Sequence, residues 1–223
     1  MVVTAKGYRI DICHSDADKV GYIIMPMPPT TEDLEEMERL AREYAINLIV
    51  LSGVNWNKDM TPWPASGIRP RKGNFDGGAE DFLQTLLNEV IPSIEGKQME
   101  YVGTRILIGL SLSGLFALWA GCHTDAFAMV ASVSGSLWYD GFTEWLSGQS
   151  PAYRHAFLLL GDKEKKTRNP RMAVVEERTR TACDILHQKG VKVVFHLDCG
   201  THFSPFFPRL EMTLRWMNDI VST

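Results

Sequence analysis

A chain of 223 residues suits one large α/β domain, at roughly 150 residues per domain. Its 45% hydrophobic and 22% charged residues form an ordinary globular balance, which argues against disorder. A formal net charge of −4 supplies no cationic field for nucleic acid or an anionic membrane.

GYRIDICHS (7–15) alternates apolar and polar residues as a half-buried strand does, and VGYIIM (20–25) is a second, more continuous strand stopped by the Pro-rich MPMPPT. TTEDLEEMERLAREYA (30–45) opens on a Thr cap and early acids, and Leu34, Met37, Leu40, Ala41 and Tyr44 recur at helical spacing. INLIVLSGV (46–54) reads as a strand buried on both faces. Residues 54–78 form a long Gly-, Pro- and Trp-bearing loop after a strand, a position that favours function.

Further on, AEDFLQTLLNEVIPSIEG (79–96) is an amphipathic helix, RILIGL (105–110) a strand and SGLFALWAGCH (113–123) a helix. AFAMVASVSGS (126–136) is a strand whose loop runs into LWYDGFTEWL, and HAFLLLGD (155–162) is another, ending in the charged run GDKEKKTRNP. RMAVVEERTRTACDILHQKG (171–190) is a helix closed by Gly190, VKVVFHLDCG (191–200) a last strand, THFSP a loop and FFPRLEMTLRWMNDIV (206–221) the final helix. Strands alternating with helices predict a mostly parallel, doubly wound sheet flanked by helices, in one domain over residues 1–223. Ligands then bind beyond the carboxyl ends of the strands.

One of those ends carries GLSLSG (109–114). A serine becomes a nucleophile when a base takes its proton and N–H groups hold the oxyanion, and a sharp strand-to-helix turn exposes the hydroxyl for both. Such a turn needs tiny residues two positions either side. Ser111 has Gly109 and Ser113 there, whereas Ser113 would have the bulky Leu115, so Ser111 is the expected nucleophile. The N–H of Leu112, first in the following helix, is the first oxyanion donor.

The base belongs on the loop after the last strand, where His202 stands; His14, His123, His155, His187 and His196 lie in or beside regular elements and suit structural roles. For the acid that orients the imidazole, Asp162 and Glu164 follow the preceding strand, and Asp198 is a poorer third, too close in sequence to face the ring. Trp56, Trp63, Trp138 and Tyr139 are candidate walls for an acyl or alcohol group.

Cys13, Cys122, Cys183 and Cys199 lie far apart with no C-x-x-C pair, so they read as reduced thiols rather than disulfides or a zinc site. No metal or cofactor is implied. With no run of about 18 apolar residues and no apolar leader, the expected location is cytoplasmic, with no membrane partner. The oligomeric state stays open.

Together these motifs resemble the "putative esterase" family of α/β-hydrolases, which includes enterobactin-type siderophore esterases and the esterase D group. GLSLSGLFAL resembles that family's G-x-S-x-G-G-L-F-A-L elbow, VSGSLWY its S-P-S-x-W-W segment, KDMTPWP its D-x-T-P stretch, and FDGGAEDFLQTLLNEVIPSIE its Gly-rich helix entry. The resemblance implies an α/β-hydrolase fold and a serine carboxylesterase acting on a small-molecule ester, with Ser111 as nucleophile, His202 as base and, from the position of the last residue of GDKE, Glu164 as acid. It also implies a second oxyanion N–H after the strand VGYIIM; Pro26 has none, so Met25 or Met27 must supply it. Three departures stand out: Ser113 for glycine, Gly135 for proline, and PMPP in place of an L-D-G-like turn. Ser113 and the PMPP turn motivate a rival reading, an inactive relative that binds a ligand in the same cleft. Acyl transfer to an alcohol would use the same residues.

Overall fold

The two periodicities of the sequence separate into a sheet and the helices that cover it. In the computed structural model, residues 1–68, 73–95 and 103–221 are described. The strands of the main sheet are β1 (Val2–Ala5), β2 (Tyr8–Cys13), β3 (Lys19–Ile24), β4 (Asn47–Ser52), β7 (Thr104–Leu110), β8 (Met129–Val133), β9 (His155–Gly161) and β10 (Lys192–Asp198), with the short β5 (Pro64–Ala65) and β6 (Phe75–Asp76) forming a separate hairpin. The helices are α1 (Thr31–Glu43), α2 (Trp56–Asp59), α3 (Ala79–Thr85), α4 (Ile91–Glu95), α5 (Leu112–Ala120), α6 (Phe142–Ser147), α7 (Pro170–Ala173), α8 (Val175–Gln188) and α9 (Phe206–Val221).

The strand order is β1-β2-β4-β3-β7-β8-β9-β10. From β4 to β10 neighbouring strands run parallel; β1 and β2 are antiparallel at one edge. Chain progression reverses between β3 and β7, because β4 lies on one side of β3 and all later sheet strands lie on the other. That reversal opens a crevice at the carboxyl ends, where such sheets bind ligands.

Alternation along the strands feeds two apolar layers. On β7, Leu107 packs into the layer under α3, α5 and α8, whereas Ile106 and Ile108 pack with Met37 and Leu40 of α1 and Leu210 and Leu214 of α9. Every residue of α5 is buried, which explains why its sequence lacks a polar face. The Thr cap takes the form of a capping box: the Thr30 hydroxyl accepts from the Asp33 N–H at 3.2 Å and the Asp33 carboxylate accepts from the Thr30 N–H at 2.9 Å.

Five local expectations change. β1 was not foreseen; Lys6 and Gly7, both at positive φ (53° and 87°), make the two-residue turn that pairs it with β2. The stretch 54–78 is not a bare loop, since it holds α2, capped by the Asn55 side chain, and the β5–β6 hairpin; residues 69–72 lie outside the described residues. The helix expected over 79–96 changes pitch at a π-helical segment, Leu86–Val90, shortly before Pro92, whose missing N–H interrupts the ladder. The helix of 171–190 is two, α7 and α8, meeting at Val174, and α6 forms within LWYDGFTEWL.

Burial pushes the thiols of Cys122 and Cys183 up to about 12 and that of Cys13 up to about 11; all four cysteines are free. None of the described helices is long and apolar enough to cross a membrane, and no cluster of His, Cys, Asp and Glu among the described residues could hold a metal ion.

Candidate active site

Strand β7 ends at Leu110 and α5 begins at Leu112, so Ser111 alone makes the turn, at φ 60° and ψ −119°. A non-glycine residue at that angle costs on the order of 1–3 kcal/mol and persists only where its surroundings hold it. Here β8 and the turn after it do so: the Ser111 N–H donates to the Val133 carbonyl at 3.0 Å, and the Ser111 carbonyl accepts from the Ser136 N–H at 2.9 Å. Close approach explains the glycine before it, because a Cβ on Gly109 would sit 1.9 Å from the Ser113 carbonyl oxygen. Ser113 fits where a glycine was expected: its side chain is fully buried and its hydroxyl accepts from the Leu110 N–H at 2.8 Å.

The loop after β10 brings His202 over the elbow, with Nε2 3.1 Å from the Ser111 Oγ. Nδ1 lies 2.9 Å from Glu164 Oε2. With the proton on Nδ1, the ring donates to the carboxylate and leaves Nε2 free to accept from the serine hydroxyl. The order of partners is therefore Ser111–His202–Glu164.

The other two acids are committed elsewhere. Asp162 accepts from the Gly200 N–H at 2.8 Å and braces the histidine loop, and Asp198 accepts from Arg209 Nε at 3.2 Å. Two of the remaining histidines hold main-chain contacts: His123 Nδ1 lies 2.9 Å from the Trp119 carbonyl and His187 Nε2 lies 3.1 Å from that of Val193.

Glu164 is buried, and burial by itself raises a carboxyl group. Hydrogen bonds from His202, from the Gly161 N–H at 2.8 Å and from the Ser134 hydroxyl at 2.7 Å outweigh it, so the group lies below its ordinary value and is anionic at neutral pH. Ser134 is itself held at a positive φ of 49° at the end of β8. Behind it, Arg209 is 1% exposed; its Nη1 donates to Ser134 Oγ at 2.5 Å and lies 3.4 Å from Glu164 Oε1, and its Nη2 donates to the Thr201 carbonyl at 3.1 Å. One buried cation thus ties the acid to the loop that carries the base. Neither Ser134 nor Arg209 was expected from sequence; the signal was a lone arginine in the apolar stripe of the last helix.

Ser111 and His202 open into a cleft of about 490 Å³. Trp56, Trp138 and Leu112 line it, joined by Phe75, Met172 and Phe203. Phe203 is 91% exposed and meets His202 edge-on, with ring centroids 5.4 Å apart. Arg171 stacks on Trp138 (5.5 Å) and Phe75 (5.9 Å), pairs with Asp140 and bonds the Ser66 carbonyl, stitching together the loops behind the aromatic wall.

Three wall or donor assignments need correction. Tyr139 is buried with its hydroxyl donating to the Trp63 carbonyl at 2.6 Å, so it backs Phe75 instead of facing the cleft. Trp63 donates to the Asp140 carbonyl and packs on Tyr139, also outside the cleft lining. Met25 is eliminated as an oxyanion donor because its N–H donates to the Leu51 carbonyl at 2.9 Å within the sheet. The Met27 side chain is exposed, and the residue follows Pro26 of the cleft wall.

A parallel sheet with a strained serine at its central elbow and a histidine–carboxylate pair on later loops defines a class, and the α/β-hydrolase fold is shown by solved structures. The chain is similar to the siderophore hydrolase EstA from Aspergillus nidulans (20% identity, 96% of this chain and 90% of that one, TM-score 0.70) and to an IroE-like serine hydrolase from Shewanella oneidensis (20% identity, 95% and 75%, TM-score 0.73). It is also 27% identical over 197 residues to the uncharacterized protein YbbA of Bacillus subtilis, covering 82% of this chain and 79% of that protein. The family model described as "Putative esterase" matches residues 29–197, and the chain belongs to that family. That membership supports hydrolysis of a small-molecule carboxylic ester.

Proposed function

We propose that the protein is a serine carboxylesterase working through an acyl-enzyme on Ser111. The observation that carries this reading is the unbroken run of contacts from Ser111 Oγ through both nitrogens of His202 to Glu164, at 3.1 and 2.9 Å. As the serine oxygen attacks the ester carbonyl, its proton passes to His202 Nε2, and the imidazolium is stabilised by anionic Glu164. The carbonyl oxygen becomes an oxyanion that takes the N–H of Leu112 and, in this reading, that of Met27. His202 then protonates the departing alcohol, and water, deprotonated by the same nitrogen, frees the acid.

The cleft walls Trp56, Phe75 and Trp138 suit an aromatic or otherwise apolar group on one side of the ester. Of the two motives for the rival, inactive reading, the PMPP turn stands, whereas Ser113 is compatible with a strained elbow and an aligned histidine. A single domain over 1–223 and a reducing, cytoplasmic setting, suggested by four unpaired thiols, belong to the same proposal.

Ser111→Ala removes the nucleophile, and turnover of p-nitrophenyl acetate is expected to fall by about 10⁴-fold or more. Turnover by the variant within a few-fold of the parent would put the chemistry at another residue.

A further inference from the structure

Resting on the serine hydrolase reading, we infer that Ser136 is a further catalytic residue, whose hydroxyl donates to the Ser111 oxygen and speeds release of the acyl group. The turn after β8 touches both ends of the Ser111–His202–Glu164 run. Ser134 donates its hydroxyl to Glu164 at 2.7 Å, and two residues on, Ser136 Oγ lies 3.4 Å from Ser111 Oγ. Ser136 is 2% exposed, yet it lines the cleft beside the nucleophile. Its main chain is held independently of its side chain: the N–H donates to the Ser111 carbonyl at 2.9 Å, and the carbonyl accepts from the Tyr139 N–H at 3.0 Å. Among the described residues the Ser111 oxygen is the one partner of the Ser136 hydroxyl.

The direction of this bond follows from the protons available. With the imidazole proton given from Nδ1 to Glu164, Nε2 is an acceptor, and the one proton of the Ser111 hydroxyl goes to it at 3.1 Å. The Ser111 oxygen then has only lone pairs to offer Ser136, so Ser136 donates. At 3.4 Å the bond is long while Ser111 is a neutral alcohol, and it strengthens as charge gathers on that oxygen. Its effect on each half-reaction depends on what the oxygen was beforehand. Free Ser111 already accepts this bond, so acylation, counted from the free enzyme, gains little. In the acyl-enzyme the same atom is an ester oxygen, a poor acceptor whose lone pair is delocalised into the carbonyl. Water bonds to the acyl carbon as its proton passes to His202 Nε2, which ends that delocalisation. The bond from carbon to Oγ then breaks with its electron pair left on Oγ, Nε2 returns the proton there, and the acid departs. Donation from Ser136 is therefore stronger in this transition state than in the acyl-enzyme, which is the condition for speeding the step.

The test is hydrolysis of p-nitrophenyl acetate by the parent, Ser136→Ala and Ser136→Gly, followed by stopped-flow release of p-nitrophenol and by the intact mass of acid-quenched protein. Both variants delete the hydroxyl and keep the main-chain N–H, and either one that folds serves. The expected result is a deacylation rate constant lower by about tenfold with kcat/KM within about threefold of the parent. A larger burst of p-nitrophenol and an accumulating acetyl adduct should accompany it. Deacylation within about twofold of the parent overturns the inference. So does a fall of kcat/KM by the same factor as deacylation, which marks a displaced Ser111 or a donor to the carbonyl oxygen instead. With an active parent, either outcome refutes only the role of Ser136. A parent that neither releases p-nitrophenol nor gains an acetyl group refutes the hydrolase reading and this inference with it.

Discussion

His202→Ala is expected to lower kcat/KM for p-nitrophenyl acetate by about 10⁴-fold or more, a loss of roughly 5.5 kcal/mol of transition-state stabilisation. The ring has two partners and both are lost: Nε2 no longer takes the Ser111 proton, and Glu164 no longer has a cation to stabilise. The side chain is only partly buried, so the truncation opens no large core cavity. A thermal midpoint within a few degrees of the parent, measured beside the rate, separates lost chemistry from lost structure. Retention of a tenth of the activity would mean that a base other than His202 serves the serine.

Arg209→Met carries the largest expected effect on stability, a loss of about 3–5 kcal/mol. The guanidinium is 1% exposed and bonds Ser134, Asp198 and the Thr201 carbonyl, close to Glu164. Methionine fills much of the volume but takes this donor from the half-buried Asp198 carboxylate and the Thr201 carbonyl and the cation from beside buried Glu164, and a half-dismantled polar network costs more than either extreme. For a chain of this size that loss corresponds to a fall of roughly 6–20 °C in the thermal midpoint. Arg209→Lys keeps the charge but not the forked donors and should recover only part of it. Calorimetry or denaturant unfolding at neutral pH decides the matter, and a loss below about 1 kcal/mol would mean that the network contributes little. Activity should fall in step, because the same guanidinium joins the acid to the loop of the base.

Much of this was legible because the chemistry imposes local sequence. The elbow demands small residues around one serine, so Gly109 and Ser113 marked Ser111, and the order strand, serine, helix followed from apolar runs on either side. His202 could be chosen over five other histidines because it alone falls on the loop after the last strand. Choosing Glu164 over Asp162 needed the family resemblance, since spacing alone puts both after β9; in the fold, Asp162 turns back to Gly200. Tyr139 was misplaced for a related reason. Neighbouring aromatics Trp138 and Tyr139 look alike in sequence, but one faces the cleft and the other packs behind it. Longer-range bonds carry no such signature. Arg209 meets Ser134 across 75 positions and Ser113 meets Ile24 across 89, so only the folded chain reveals either. The hairpin strand β1 was missed because four residues give too short a period to detect.

The most direct measurement is intact and peptide mass after treating the native protein with a fluorophosphonate. A single phosphonyl adduct is expected on Ser111, located by fragmentation of the peptide that also carries Ser113 and Ser136, formed rapidly by the parent and lost in His202→Ala. An unmodified protein, or an adduct on Ser113 or Ser136 instead, would contradict the account.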